Sequence, residues 1–254
     1  MEIIDLGIYD LTDMTPRPGT WGTLLERQKF IKNPDTPITQ DVLYISRNNM
    51  NLLFFRNENI TQPRTYVKDG TFYYETPITK REKNRNKDGS RFIVTKNVLP
   101  LGFYYQTDKI LEALDYTEHN KPEGNLYYYY DKIITNILHN PKTALYNVLN
   151  SYGTNNKVEI VNNDVVVNKK KVYGGDEFYN NTGVFHQVGM TWLYEDEVFM
   201  KYLPYDEYWR ETKEGITGIK NEFPTLELEQ FKKDYTDEVL RLIQEVEDIS
   251  KEVI

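Results

Sequence analysis

The stretch VVVNKKKVYGGDEFYNNTGVFHQVGMTWL, Val165 to Leu193, decides the fold, and everything turns on where it breaks. The β-branched run Val165–Val167 reads as a strand, and Lys169, Lys170 and Lys171 end it. Gly174–Gly175 then reads as the turn, since glycine alone makes tight backbone conformations without steric cost. A second apolar strand opens at Gly183 and carries His186–Gln187. Lysines normally decorate such an edge for solubility, so three of them beside a glycine pair ask for a reason.

Working backwards, KVEIV and NDVVVN form a strand pair turning at Asn162–Asn163. Before them, HNPKTALYNVLNSYG carries helix signals: Asn140 as cap, Pro141 in the first position, and Gly153 as the left-handed residue ending it. LYYYYDKIITNIL is open between a buried strand and a helix. DVLYIS, NLLFFR, GTFYYETPITKRE and SRFIVTKNVLPLGFYYQTD read as strand regions. The last two flank the polar loop REKNRNKDGSR. The first 40 residues, with Pro16, Pro18, Pro34 and Pro37, read as irregular. The fold class is α+β: a central, mainly antiparallel sheet flanked by helices. The organisation expected is an N-terminal segment at 1–40 packed on the domain, a main domain at 41–224 and a helical segment at 225–254.

In that last segment Tyr235, Val239, Leu242, Val246, Ile249 and Val253 recur every three or four residues. The stripe either docks on its own domain or meets a partner helix. Alone, about three heptads make a marginal helix.

Composition narrows the chemistry. The 254 residues hold no cysteine, which excludes disulfides, thiolate metal sites and thiol nucleophiles. Three scattered histidines, His119, His139 and His186, argue against a histidine metal site. A formal charge of −8 argues against nucleic acid as a partner. No apolar run is long enough to span a bilayer, and the acidic start MEIIDLGIYDLTD lacks a signal peptide's basic flank, so no membrane and a cytoplasmic location are expected. Abundant Asn, Lys and Tyr suggest an AT-rich source, bacterial or phage.

The ordered series of Asn163–Asp164, an apolar alternation, Lys171–Val172–Tyr173–Gly174, His186–Gln187 with Gly189, and EVFMKYLP resembles the catalytic domain of lipoate–protein ligases. EGITGIKNEFPTLELEQFKKDYTDEV is similar to a later segment of that family, and the likeness spans roughly residues 40–240. Biotin ligases share the fold, though their basic loop fits KREKNRNKDGSR poorly.

The resemblance implies an ATP-dependent enzyme that turns lipoate or octanoate into an acyl-adenylate and transfers it to a lysine of a lipoyl-carrier domain. It assigns Lys171 to catalysis, where a fixed ammonium offsets the repulsion between a carboxylate and the α-phosphate. It gives Gly174 and Gly175 the clearance, Asp164 the role of a Mg²⁺ ligand and Asn163 that of an amide donor. Lys80–Arg81 stand for the family's arginine pair and Gly89 for its triple-glycine loop. Lys83, Arg85, Lys87 and Arg91 either grip phosphate or form a solvated loop. Thr95–Lys96 stand where the family has His-Asp. His186 is either a structural hydrogen-bonder or a residue lining the site. Lys169 and Lys170 read as solvated. The missing cysteine removes the thioester route of the related octanoyltransferases. The alternative is a degenerate homologue kept as a binding or assembly module.

Overall fold

A computed structural model describes residues 1–13, 41–78, 91–106, 125–153, 155–162, 164–180, 183–202 and 215–252. Eleven strands form two sheets among these residues. The larger has seven strands in the order β1-β2-β7-β11-β10-β9-β8. These are β1 (Glu2–Tyr9), β2 (Val42–Asn48), β7 (Val98–Gln106), β8 (Val158–Val161), β9 (Asp164–Val167), β10 (Lys170–Asn180) and β11 (Gly183–Thr191). Only β1 and β2 pair in parallel; every other neighbour is antiparallel. The smaller sheet runs β4-β5-β3-β6, from β3 (Asn51–Asn57), β4 (Arg64–Lys68), β5 (Thr71–Pro77) and β6 (Arg91–Val94). The fold is α+β with a mainly antiparallel central sheet, as the sequence led us to expect.

One face of the large sheet is apolar and covered by two helices, α1 (Asn125–Ser151) and α4 (Leu228–Glu252). Leu99, Leu101 and Phe103 of β7 and Val184, Val188 and Met190 of β11 alternate onto it. From α1 come Ile133, Ile134, Ile137, Ala144, Leu145 and Leu149; from α4 come Phe231, Tyr235, Val239, Ile243 and Val246. Two short helices, α2 (Asp196–Tyr202) and α3 (Ile219–Glu222), and a 3-10 turn at Leu11–Asp13 complete the described elements. α2 packs Phe199 against Leu53 and Ile93 of the small sheet. Leu52, Phe54, Phe72 and Tyr74, on its other face, meet Leu11 and Val98.

Several expectations are corrected. Residues 2–9 are a strand: Asp5 accepts the Gly7 N–H at 2.8 Å, and Gly7, at φ +61°, takes up an irregularity that keeps β1 beside β2. The prolines that suggested irregularity lie outside the described residues. Pro141 does not open a helix; LYYYYDKIITNIL is the first half of the same helix, and Pro141 stands inside it. An interior proline costs about 3 kcal/mol. The apolar face on both sides of it buries more than enough to offset that, at roughly 1.5–3 kcal/mol per large side chain. The far end is as expected, with Gly153 at φ +60° just past Ser151.

Of the two readings of the C-terminal stripe, docking on its own domain is the one the structure shows. Tyr235 and Val239 are fully buried, Tyr235 Oη donates to the Pro141 carbonyl at 3.2 Å, and Asn140 Nδ2 donates to the Val239 carbonyl at 3.3 Å. Val253 lies outside the described residues. No helix among the described residues is long and apolar enough to cross a membrane.

Candidate functional site

On the face of the large sheet opposite the helices, the middle strands carry Pro100 and Gly102 of β7, flanked by Val98 and Tyr104, and Gly189 of β11. The turn that precedes β10 is not Gly174–Gly175. It is Asn168–Lys169, where both residues have positive φ, 52° and 67°, as a two-residue hairpin of the primed type requires. Asn168 tolerates this and is tied on every side. Its N–H donates to the Lys157 carbonyl at 2.8 Å, its Oδ1 accepts the Lys157 N–H at 3.0 Å, and its Nδ2 donates to Asn156 Oδ1 and Glu222 Oε2, both at 2.9 Å. Lys169 is therefore a turn residue, while Lys170 and Lys171 already belong to β10.

A bulge then decides which side Lys171 takes. Lys171 stands opposite Val166 and Tyr173 opposite Val165, so Val172 is an extra residue. On a regular strand residues 171 and 174 would face opposite ways. The bulge returns both to the open face, while Val172 and Tyr173 enter the helix-side core. The Lys171 backbone is held by a second clamp: its N–H donates to the Gly215 carbonyl and its carbonyl accepts the Thr217 N–H, each at 3.0 Å. Thr217 Oγ1 in turn donates to Glu222 Oε1 at 2.7 Å. Glu222 thus ties the hairpin turn and the Lys171 clamp together.

On this scaffold Lys171 Nζ pairs with Asp164 Oδ1 at 2.9 Å. The side chains are 38% and 35% exposed, so the pair adds at most about 1 kcal/mol to stability. Gly174 makes the arrangement possible. A Cβ there would stand 2.5 Å from Lys171 Nζ and 2.9 Å from Asp164 Oδ1. The ammonium lies over a bare backbone and stays 38% exposed beside its carboxylate partner.

Of the residues named from sequence, the structure brings together Lys171, Asp164 and Gly174. Gly175 stands in register with Val188, a helix-side core residue, and so is out of phase with Gly174. His186 stands in register with Phe103. Lys80, Arg81, Gly89 and Asn163, with the loop lysines and arginine at 83, 85 and 87, lie outside the described residues. Thr95 and Lys96 form the turn between β6 and β7: Thr95 Oγ1 accepts the Asn97 N–H at 3.3 Å, the Thr95 carbonyl accepts the Val98 N–H at 3.0 Å, and Lys96 is exposed.

Asp164, the residue expected to hold Mg²⁺, pairs through Oδ1 with the Lys171 ammonium, and among the described residues no group of three His, Cys, Asp or Glu side chains could hold a metal ion.

Sequence reasoning missed Gly102, Tyr44 and the Thr217–Glu222 clamp. Gly102 left a readable signal, a lone glycine inside an apolar strand, which marks close approach of another group. That group is Tyr44, its register partner on β2, whose buried ring occupies the space a Gly102 side chain would take.

No protein-family model matches the chain, and no curated protein matches its sequence. Solved structures do. Lipoate-protein ligase A bound with ATP superposes with a TM-score of 0.52 at 10% identity, over 99% of this chain and 92% of that one. A T. acidophilum protein described as a candidate lipoate protein ligase, with bound lipoic acid, gives 0.54 at 10% identity, over 99% and 93%. The bi-partite lipoate protein ligase of Thermoplasma acidophilum, analysed with its E2 lipoyl domain, gives 0.50 at 10% identity, over 97% and 90%. The chain has the fold of the lipoate-protein ligase catalytic domain.

Proposed function

We propose that the protein is a ligase of the lipoate–protein type that activates a carboxylic acid with ATP. The observation that carries this reading is the Lys171 ammonium, set on the open face over Gly174 by a bulge and held by Asp164. In support, ATP and lipoic acid are bound in solved structures of the same fold. A carboxylate oxygen of the acid, lipoate or octanoate, attacks the α-phosphorus of ATP; the bond to the β-phosphate oxygen breaks and pyrophosphate leaves. Two anions must approach, and Lys171 offsets their repulsion and the charge that develops between them. Asp164 and the Gly215–Thr217 clamp keep the ammonium in place, so little reorganisation is needed at the moment of reaction. The amine of a carrier lysine then attacks the acyl carbon, AMP leaves with the bonding electrons, and the amine's proton passes to solvent. A lipoyl-carrier domain is the acceptor in this reading, in keeping with the E2 lipoyl domain studied with the Thermoplasma ligase.

A second reading is favoured by one observation. Thr95 is buried and spends its groups on a turn where the family has His-Asp, as expected of a fold kept as a binding or assembly module. ATP–pyrophosphate exchange, assayed with lipoate, octanoate and biotin in parallel, separates the two. Exchange with any of them supports the ligase; none with all three favours the module.

A further inference from the structure

Lys171 is fixed at two levels. Asp164 holds the tip of a flexible side chain, through a partly exposed ion pair. Such a pair is weak and does not set where the side chain begins. The Lys171 backbone is placed by two other features. One is the Asn168–Lys169 turn, which sets where β10 starts. The other is a short parallel bridge between Lys171 and Ile216, made by the bonds to Gly215 and Thr217.

Both features end on one carboxylate. Glu222 Oε2 accepts from Asn168 Nδ2 at 2.9 Å, and Glu222 Oε1 accepts from Thr217 Oγ1 at 2.7 Å. Thr217 is buried, so its hydroxyl depends on this acceptor. The carboxylate stands on a stiff mount. α3 is a single turn; its Ile219 and the following Phe223 are buried, and the Phe223 ring lies 5.9 Å from that of Tyr152. The start of α3 is pressed against the chain just after β11. There the Lys220 N–H donates to the Trp192 carbonyl at 2.8 Å, and Asn221 Oδ1 accepts the Tyr194 N–H at 2.9 Å. A Cβ on Gly218 would stand 2.6 Å from that same nitrogen. Asn156 closes the arrangement: its Nδ2 donates to the Glu222 carbonyl at 2.6 Å and its Oδ1 accepts from Asn168.

We infer that Glu222 is a positioning residue for Lys171, acting through Thr217 and Asn168 rather than by a bond to the lysine. Its two oxygens set the turn against the bridge, and with them the place from which the ammonium reaches the open face. This rests on the adenylate reading for the reaction in which that place matters. A shift of about 1 Å in a group that meets the transition state is enough for a loss of roughly 100-fold. The role is geometric rather than ionic. Glutamine keeps both bonds: its oxygen accepts from Asn168, and its nitrogen donates to the Thr217 hydroxyl, which can give or accept. Alanine keeps neither.

The test compares wild type with Glu222→Ala and Glu222→Gln. Glu227→Ala is the control, an exposed carboxylate paired with Lys220 and with no tie to the turn or the bridge. Two readouts are taken: hydrogen exchange at the Lys171 and Thr217 amides by NMR, and steady-state ATP–pyrophosphate exchange with lipoate and octanoate. In Glu222→Ala both amides should exchange about ten-fold faster or more. Its kcat should fall about ten-fold or more while KM for ATP changes less than about three-fold, the mark of an interaction made in the transition state alone. Glu222→Gln should return both readouts to within about three-fold of wild type, because it keeps the two bonds. Glu227→Ala should match wild type. Should Glu222→Ala fail to fold, Thr217→Val removes one arm at nearly constant shape and should move both readouts the same way, by about three-fold or more. Unchanged amide exchange in folded Glu222→Ala, unchanged kcat beside faster amide exchange, or a Glu222→Gln that behaves like Glu222→Ala overturns the inference. A wild type without pyrophosphate exchange, together with the expected amide changes, overturns the adenylate reading and leaves Glu222 as the residue that places Lys171.

Discussion

The two faces of the seven-stranded sheet are built from the same strands and obey different rules. On the helix side β7, β11 and β9 present Leu99, Leu101, Phe103, Val184, Val188, Val165 and Val167, all buried. One residue further along, the same strands present Gly102, Gly189, Pro100 and Asp164 on the other side. The first face gains its free energy from filled volume; the second places the Lys171 ammonium, 38% exposed, over the bare backbone of Gly174. Substitutions should therefore be costly in stability on the first face, and costly in function but cheap in stability at Lys171 and Gly174 on the second.

The largest expected effect is on the helix side. Ending the chain after Asp234 removes Tyr235, Val239, Ile243 and Val246, each at most 5% exposed. At roughly 1.5–3 kcal/mol apiece the loss is about 6–12 kcal/mol, comparable to the whole stability of a typical domain. No cooperative melting transition should remain by calorimetry; an unchanged transition would mean that the helix is an appendage.

Next comes Gly102→Ala, the place where the open face behaves like the packed one. The new methyl meets a buried ring that has nowhere to go, so about 1–3 kcal/mol should be lost, near the cost of overpacking a core. Thermal melting should fall by about 3–10 °C. A silent Gly102→Ala would show that the Tyr44 ring moves freely.

A smaller effect is expected from acid. Glu238 of α4 accepts from Arg241 and from Asn147 Nδ2, the latter at 2.6 Å, and Arg241 in first place holds its carboxyl below the usual range. A depressed carboxyl contributes stability that is complete above its unfolded value and is lost as pH falls through the folded one. Glu238→Gln should thus cost roughly 0.5–1 kcal/mol at neutral pH and progressively less as the solution is made acidic. A cost independent of pH in urea melts would place the effect in packing instead.

Least costly to the fold is Gly174→Ala. The methyl collides with the flexible end of Lys171, which can swing out, so stability should change by less than about 1 kcal/mol. Exchange should nevertheless drop strongly, because the ammonium leaves its place.

Much of this division was legible in the sequence. The strands from Val42 to Val188 and the order around Lys171 follow from alternation, and the fold class follows from them. What stayed hidden has a local physical cause each time. A bulge such as that at Val172 leaves no compositional mark, so the sides taken by Lys171 and Gly175 could not be read. Lys169 adopts a positive φ that sequence statistics assign to glycine, so the turn was placed six residues late. β4 was passed over because RTYVK is an edge strand with little buried surface. Pro141 misled because tertiary burial outweighs its local penalty.

The central claim is that Lys171 carries the chemistry of the open face and does little for the fold. Lys169→Ala, in the turn two residues away, is the matched control. The account predicts that Lys171→Ala lowers ATP–pyrophosphate exchange by about 100-fold or more, the loss expected of roughly 3 kcal/mol of transition-state stabilisation, with melting shifted by no more than about 2 °C. Lys169→Ala should stay within about two-fold of wild type, under 0.5 kcal/mol. Equal exchange in the two variants would contradict it.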